Sequence, residues 1–160
     1  MKKQLFIIAL LLSTTVAFAQ TKQTKEEIKK DSIIKADIID PAERDAQGEA
    51  PDWNALTADI TKKYDATYAD RTVTKAKIYF TYYKDWPTFT AAIVHYTEKY
   101  ESFDNLKLLD TNANYILKNS DDKKELEAAL AWSKHTLDKD PQNEAYKKTY
   151  AALQDKLATK

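Results

Sequence analysis

One glycine, Gly48, stands in a chain of 160 residues. That scarcity excludes more folds than any motif in the chain selects. Phosphate-cradling loops, dinucleotide fingerprints and tight β-hairpins each need several positions of positive φ or close backbone approach, which glycine supplies. Helices need none of these. Apolar residues at 43% and charged residues at 31% suit a helical protein with a core rather than a disordered chain. The length is enough for one ordinary domain. There is no cysteine, so disulfides, thiol redox chemistry, zinc–thiolate sites and cysteine-linked lipid anchors are excluded. Lys and Arg total 25, as do Asp and Glu, so no net positive charge favours nucleic acid.

The apolar residues recur at helical spacing. Trp53, Leu56, Ile60 and Tyr64 are separated by three, four and four positions, which is one helix face. Four further stripes follow: Val73–Ala76–Phe80–Tyr83, Trp86–Phe89–Ile93–Tyr96–Tyr100, Leu106–Leu109–Ala113–Leu117, and Tyr146–Tyr150–Leu153–Leu157. Between the last two, Leu126, Leu130 and Leu137 face one way with Ala129 beside them. Asp52 and Asp85 are placed to cap helices, and Pro87 falls in a first turn, where its missing N–H costs little. Asn119-Ser120-Asp121 and Asp140-Pro141 punctuate the C-terminal half. No stretch alternates with a period of two. The sequence therefore predicts an all-α domain over residues 52–160, of about six helices, with connections short enough to make neighbours antiparallel.

The N-terminal third reads differently. Lys2 and Lys3, the apolar run Leu5 to Leu12, and the small residues of Ala17-Phe18-Ala19 are the three parts of a secretory signal peptide over residues 1–19. Cleavage is expected between Ala19 and Gln20, because Ser13-Thr14-Thr15 interrupts the run well short of the roughly 20 apolar residues a membrane span needs. The mature chain would then lie in the periplasm or be secreted, with no stable membrane anchor. Residues 20–51 form a polar approach. Thr24-Lys25-Glu26-Glu27 has the form of a capping box and would open a helix from about Lys25 to Ile39. Ile28, Ile34 and Ile38 make only a thin stripe, and Pro41, Gly48 and Pro51 interrupt the pattern. This approach is expected to be a linker.

The C-terminal hairpin carries a resemblance. Ala129 is a small residue early in a second helix, Pro141 follows 12 positions later, and Tyr150-Ala151 forms a large–small pair in the next helix. In this spacing Ser120 to Leu157 resembles the tetratricopeptide repeat. A looser unit lies upstream: Val73, Ala76 and Phe80, then Phe89, Ile93 and Tyr96 after Asp85-Trp86. Phe89 stands where the family has a small residue, and Ser133 and Thr136 replace an aromatic and an alanine. The hairpin from Leu106 to Leu137 also has extra residues around Lys118 to Asp122. The match is degenerate and covers about residues 73–157. These helices are also similar to the helical tail of some secreted bacterial thioredoxin-family proteins. The resemblance implies a short stack of α-α hairpins with a TPR-like superhelical course, one face of which binds a peptide or protein. A second apolar line in the segment from Phe103 to Lys118, Leu108 and Tyr115, fits either a stacked helix buried on two sides or an oligomer face.

Tyr82, Trp86 and Trp132 are the expected partner-binding anchors, because they fall off or at the end of the main stripes and are large and amphipathic. No catalytic, cofactor-binding or metal set is expected. His95 and His135 are 40 positions apart, without the spacing of a zinc motif. Asp138-Lys139-Asp140 is followed by Pro141 rather than by a calcium loop, and Thr149 stands where that loop needs a glutamate. Asp121, Asp122, Glu125 and Glu127 sit at a helix start, where the backbone dipole favours negative charge. The function expected is therefore non-catalytic: an envelope scaffold that binds a protein or peptide. The alternatives are an accessory module of a thioredoxin-like oxidoreductase system and a self-associating structural protein.

Overall fold

The computed structural model describes residues 23–160. The expected signal peptide and its cleavage point lie outside the described residues. The described chain is all-α. Helix α1 spans Lys25–Ile34 and continues through a π-helical turn, Lys35–Ile39, into α2, Asp40–Asp45. Then come α3 (Trp53–Lys63), α4 (Ala66–Thr81), α5 (Trp86–Tyr100), α6 (Leu106–Asn119), α7 (Lys123–Lys139) and α8 (Glu144–Ala158). None of the described helices is long and apolar enough to cross a membrane. Helices α3 to α8 correspond to the six apolar stripes, and each consecutive pair from α3 to α8 is in contact.

Capping sets where these helices start. Thr24 and Glu27 form the reciprocal box: the Glu27 N–H donates to Thr24 Oγ1 at 3.2 Å, and the Thr24 N–H donates to Glu27 Oε2 at 2.8 Å. Asp52 accepts from the Asn54 and Ala55 N–H groups, and Asp85 accepts from that of Thr88. Two caps lie slightly later than the sequence suggests. Helix α7 is capped by Asp122, while Ser120 steps back to accept the Asp122 N–H at 3.1 Å. Helix α8 is capped by Asn143, because Pro141 is spent in the turn after Asp140. Asp65 and Asn105 cap α4 and α6.

The approach segment is not a spacer. Residues 25–45 are helical, and Ile34 and Ile39 are almost fully buried, in one cluster with Leu56, Ile60, Ala69, Val73 and Ala76. The expected stripe misled because Ile28 is 52% exposed. Ile34 and Ile39 are five apart, about 140° around an α-helix, and the π turn closes that angle. It is made by the Asp40 N–H donating to the Lys35 carbonyl. The widening comes just before Pro41, which cannot donate and whose ring would otherwise press on the carbonyl four residues back. The helix thus passes Pro41 and stops at Ala46, where Gln47 (φ 51°) and Gly48 (φ 95°) turn the chain in the left-handed region.

One buried charge ties this segment to α4. Arg71, 3% exposed, donates from Nε and Nη2 to the two oxygens of Asp31, both at 2.7 Å. Glu27 stands 3.9 Å from Nη1, and the Tyr68 ring lies 4.9 Å from the guanidinium carbon. A second cluster fills the C-terminal half: Phe89, Ile93, Leu109, Ala113, Ile116, Leu126, Ala129, Trp132 and Leu153. The buried face of α7 is Leu126–Ala129–Trp132–Ser133–Thr136. Leu130 and Leu137 are only half-buried, because α6 and α8 both pack on α7 and turn it away from the expected face.

Candidate functional site

The arrangement of α4, α5 and α6 leaves a trough. Its floor is α5, from which Phe89, Ile93, Tyr96 and Thr97 are buried, and its walls are α4 and α6. The α4 wall consists of Lys75, Ile78, Tyr79 and Tyr82, at steps of three, one and three. The α6 wall consists of Leu108, Asn112 and Tyr115. The cavity between them measures about 260 Å³. A second cavity of about 500 Å³ lies on the other side of α4, under α1 and the π turn, with Ile39 and Ala76 in its lining. The two cavities share Lys75 and Tyr79. Tyr79 is 69% exposed, so it stands as a free aromatic between two adjoining hollows.

Local structure at the end of α4 shapes the trough. Thr81 is buried, its hydroxyl donates to the Lys77 carbonyl at 2.6 Å, and its own carbonyl receives the N–H groups of both Lys84 and Asp85 at 2.9 Å. That tight turn forces Tyr83 into the left-handed region at φ 63°, a conformation that costs an ordinary residue about 1 kcal/mol. It also brings Tyr82 back over α5 and α6. The Tyr82 ring lies 5.2 Å from Phe89, 5.7 Å from Tyr115 and 5.9 Å from Trp86, centroid to centroid. Its hydroxyl donates to that of Tyr83 at 2.8 Å and shares a 3.2 Å contact with that of Tyr115. The hydrogen bonds with Tyr115 and Tyr83 raise the Tyr82 phenol above its ordinary value.

Of the three anchors expected from sequence, the trough contains one. Tyr82 is half-buried and lines it. Trp86 stands behind, edge-on to Tyr82, Tyr83 and Phe89, and supports the wall rather than lining it. Trp132 must be corrected: at 2% exposure it belongs to the core of the α7 region, and a partner cannot touch it in this conformation. Its position opposite Leu130 suggested a free face, but α7 is covered on two sides. Tyr79, Lys75 and Glu101 were not singled out from sequence. The available signal was the run Lys75–Ile78–Tyr79–Tyr82 itself, a second helix-spaced line off the Val73–Ala76–Phe80 face. The Leu108–Tyr115 line is its counterpart on α6.

The charges in the trough are few. Glu101, at the α5 C-cap, is half-buried, and burial pushes its carboxyl above the ordinary range against the through-space pull of Lys75. Lys75 is exposed and forms no ion pair with Glu101 among the described residues. Burial also pushes the Tyr96 phenol up to about 12. Between wall and floor, Asn112 Nδ2 donates to Thr97 Oγ1 at 2.9 Å. In the other cavity, burial and the neighbouring Asp40 raise the Glu43 carboxyl.

The remaining polar candidates are hydrogen-bonded within the fold. Asp70 on α4 accepts from Lys99 Nζ at 2.7 Å and from the Tyr100 hydroxyl, and meets His95 Nε2 at 2.9 Å. Burial alone would raise the Asp70 carboxyl, but these hydrogen bonds outweigh it and bring it to about 2. His135 Nε2 lies 3.1 Å from the Phe103 carbonyl. Among the described residues, no group of three or more His, Asp or Glu is placed to hold a metal. No protein-family model matches the chain, and neither a curated protein nor a solved structure matches it.

Proposed function

We propose that this chain is a non-catalytic binding module that receives a peptide segment of another protein along the α1–α4–α6 face. The observation that carries the proposal is the pair of adjoining cavities that share Lys75 and Tyr79. A single cavity of about 260 Å³ would suit a small molecule or one side chain. Two in line, with an exposed aromatic between them, suit a chain that places successive side chains in successive hollows. Both hollows are walled by α4, which packs on α5 on one side and on α1 on the other, so the groove is preformed and little entropy is lost in shaping it. A tetratricopeptide-like stack would use its helices in this way, and the proposal extends to that kinship. It also includes export, with the mature chain starting at Gln20 and working in the bacterial envelope.

Replacing Tyr79 by a photo-crosslinking phenylalanine derivative tests the groove in the producing cell, with the same replacement at Lys148, an exposed position on α8, as control. A discrete adduct with another protein from position 79 and none from position 148 is the expected result. No adduct from position 79, or equal adducts from both, overturns the groove. An adduct of twice the chain's own mass moves the assignment to self-association. N-terminal sequencing of the exported protein checks the start at Gln20.

A further inference from the structure

We infer that the trough between α4 and α6 seats a basic side chain, an arginine of the partner peptide, among the rings of Tyr79, Tyr82, Phe89 and Tyr115 with its charge toward Glu101. The inference rests on the peptide-groove proposal and names the partner's chemistry at one subsite.

Three observations point the same way. First, Glu101 lines an aromatic-walled cavity, is half-buried, and has no hydrogen-bonding side-chain partner among the described residues. A carboxylate in that position is penalised by burial, and a cation that enters the cavity relieves the penalty. Second, the walls carry aromatic faces, which attract a cation, and a planar guanidinium most of all because it can stack while it hydrogen-bonds. Third, the molecule already uses this chemistry inside itself. Arg71 is seated on the Asp31 carboxylate with Tyr68 at 4.9 Å and Tyr100 at 5.7 Å from its guanidinium carbon. The trough presents the same parts, carboxylate and tyrosine rings, without the arginine. Among the described residues the one cation in its lining is Lys75, which is exposed and acts on Glu101 only through space.

The burial of Glu101 has a further consequence. Its carboxyl is raised in the folded state, so at neutral pH its ionisation weakens the fold. Glu101→Gln should therefore melt at or above the temperature of the parent while binding worse. A merely structural glutamate would show the opposite.

The test is selection of a random-peptide display library on the full protein, followed by affinity measurement of the selected peptides on the parent, Glu101→Gln and Glu127→Gln, an exposed control on α7. The expected result is enrichment of arginine, with affinity falling tenfold or more in Glu101→Gln and less than twofold in Glu127→Gln. Exchange of the selected arginine for norleucine should lose a similar factor on the parent and little on Glu101→Gln. Peptides that depend on Tyr79 but show no arginine enrichment, or that ignore Glu101→Gln, overturn the arginine subsite and leave the groove standing. Failure to select any peptide that depends on Tyr79 overturns both.

Discussion

Replacing Asp31 by asparagine removes the carboxylate that receives the buried guanidinium of Arg71. The parent pair is bidentate, with both contacts at 2.7 Å, and Arg71 is 3% exposed. Asparagine can accept one of those hydrogen bonds; its amide end would point a donor at a donor. One charge-assisted bond, worth about 1.5–3 kcal/mol, is lost outright. The charge that faces the guanidinium is lost as well, and breaking a buried pair from one side costs about 3–5 kcal/mol. Glu27, at 3.9 Å, remains and offsets part of this, so the expected cost is about 3 kcal/mol, a fall in Tm of roughly 10 °C. The loss should appear first in α1. Urea denaturation followed by circular dichroism gives the total, and hydrogen exchange should show the amides of residues 25–39 losing protection before those of α6 and α7. The double variant Asp31→Leu with Arg71→Met, which removes both charges and keeps apolar volume, should recover most of the stability. A cost below 1 kcal/mol for Asp31→Asn, or a double variant no better than the single one, would refute the assignment of the pair as the clamp on α1.

Other outcomes follow from the same contacts. Ile39→Ala should cost about 2–4 kcal/mol in urea denaturation, since Ile39 is 1% exposed, whereas a spacer residue would cost less than about 0.5. Trp132→Ala should cost about 3–5 kcal/mol and lose binding only as the fold is lost, while Tyr79→Ala should change stability by no more than about 0.5 kcal/mol and still reduce binding. Asp70 gives an acid limb: its folded value of about 2 lies below the ordinary 3.8, so its contribution is fully present above pH 3.8 and is lost as the pH falls toward 2. The interval corresponds to about 2.4 kcal/mol, which partial solvent exposure reduces to about 1 kcal/mol. Urea midpoints between pH 5 and pH 2 should fall less steeply in Asp70→Asn than in the parent.

The sequence by itself determined the secondary structure from Asp52 onward, because helix period and capping are local. Trp53, Leu56 and Ile60 lie within eight residues, and the cap that starts their helix is adjacent to them. It also determined the all-α class, since one glycine and no alternating stretch leave a chain little else to form. Which face of α7 is buried was decided by tertiary structure, whereas Leu56, Ile60, Phe89, Ile93, Leu109 and Ala113 are buried on the stripes that the spacing marks. Trp132 is core and Leu130 half-exposed because α6 and α8 cover α7 from two sides, and nothing within α7 encodes the direction of those neighbours. The N-terminal helix shows the same limit. Its two buried apolar residues, Ile34 and Ile39, share no α-helical face until a π turn realigns them, and its anchoring pair joins residues 40 positions apart. The trough belongs wholly to tertiary structure. Tyr79, Glu101 and Leu108 come from α4, the end of α5 and α6, and only the packing of α4 and α6 on α5 brings an aromatic wall and a half-buried carboxylate to one cavity.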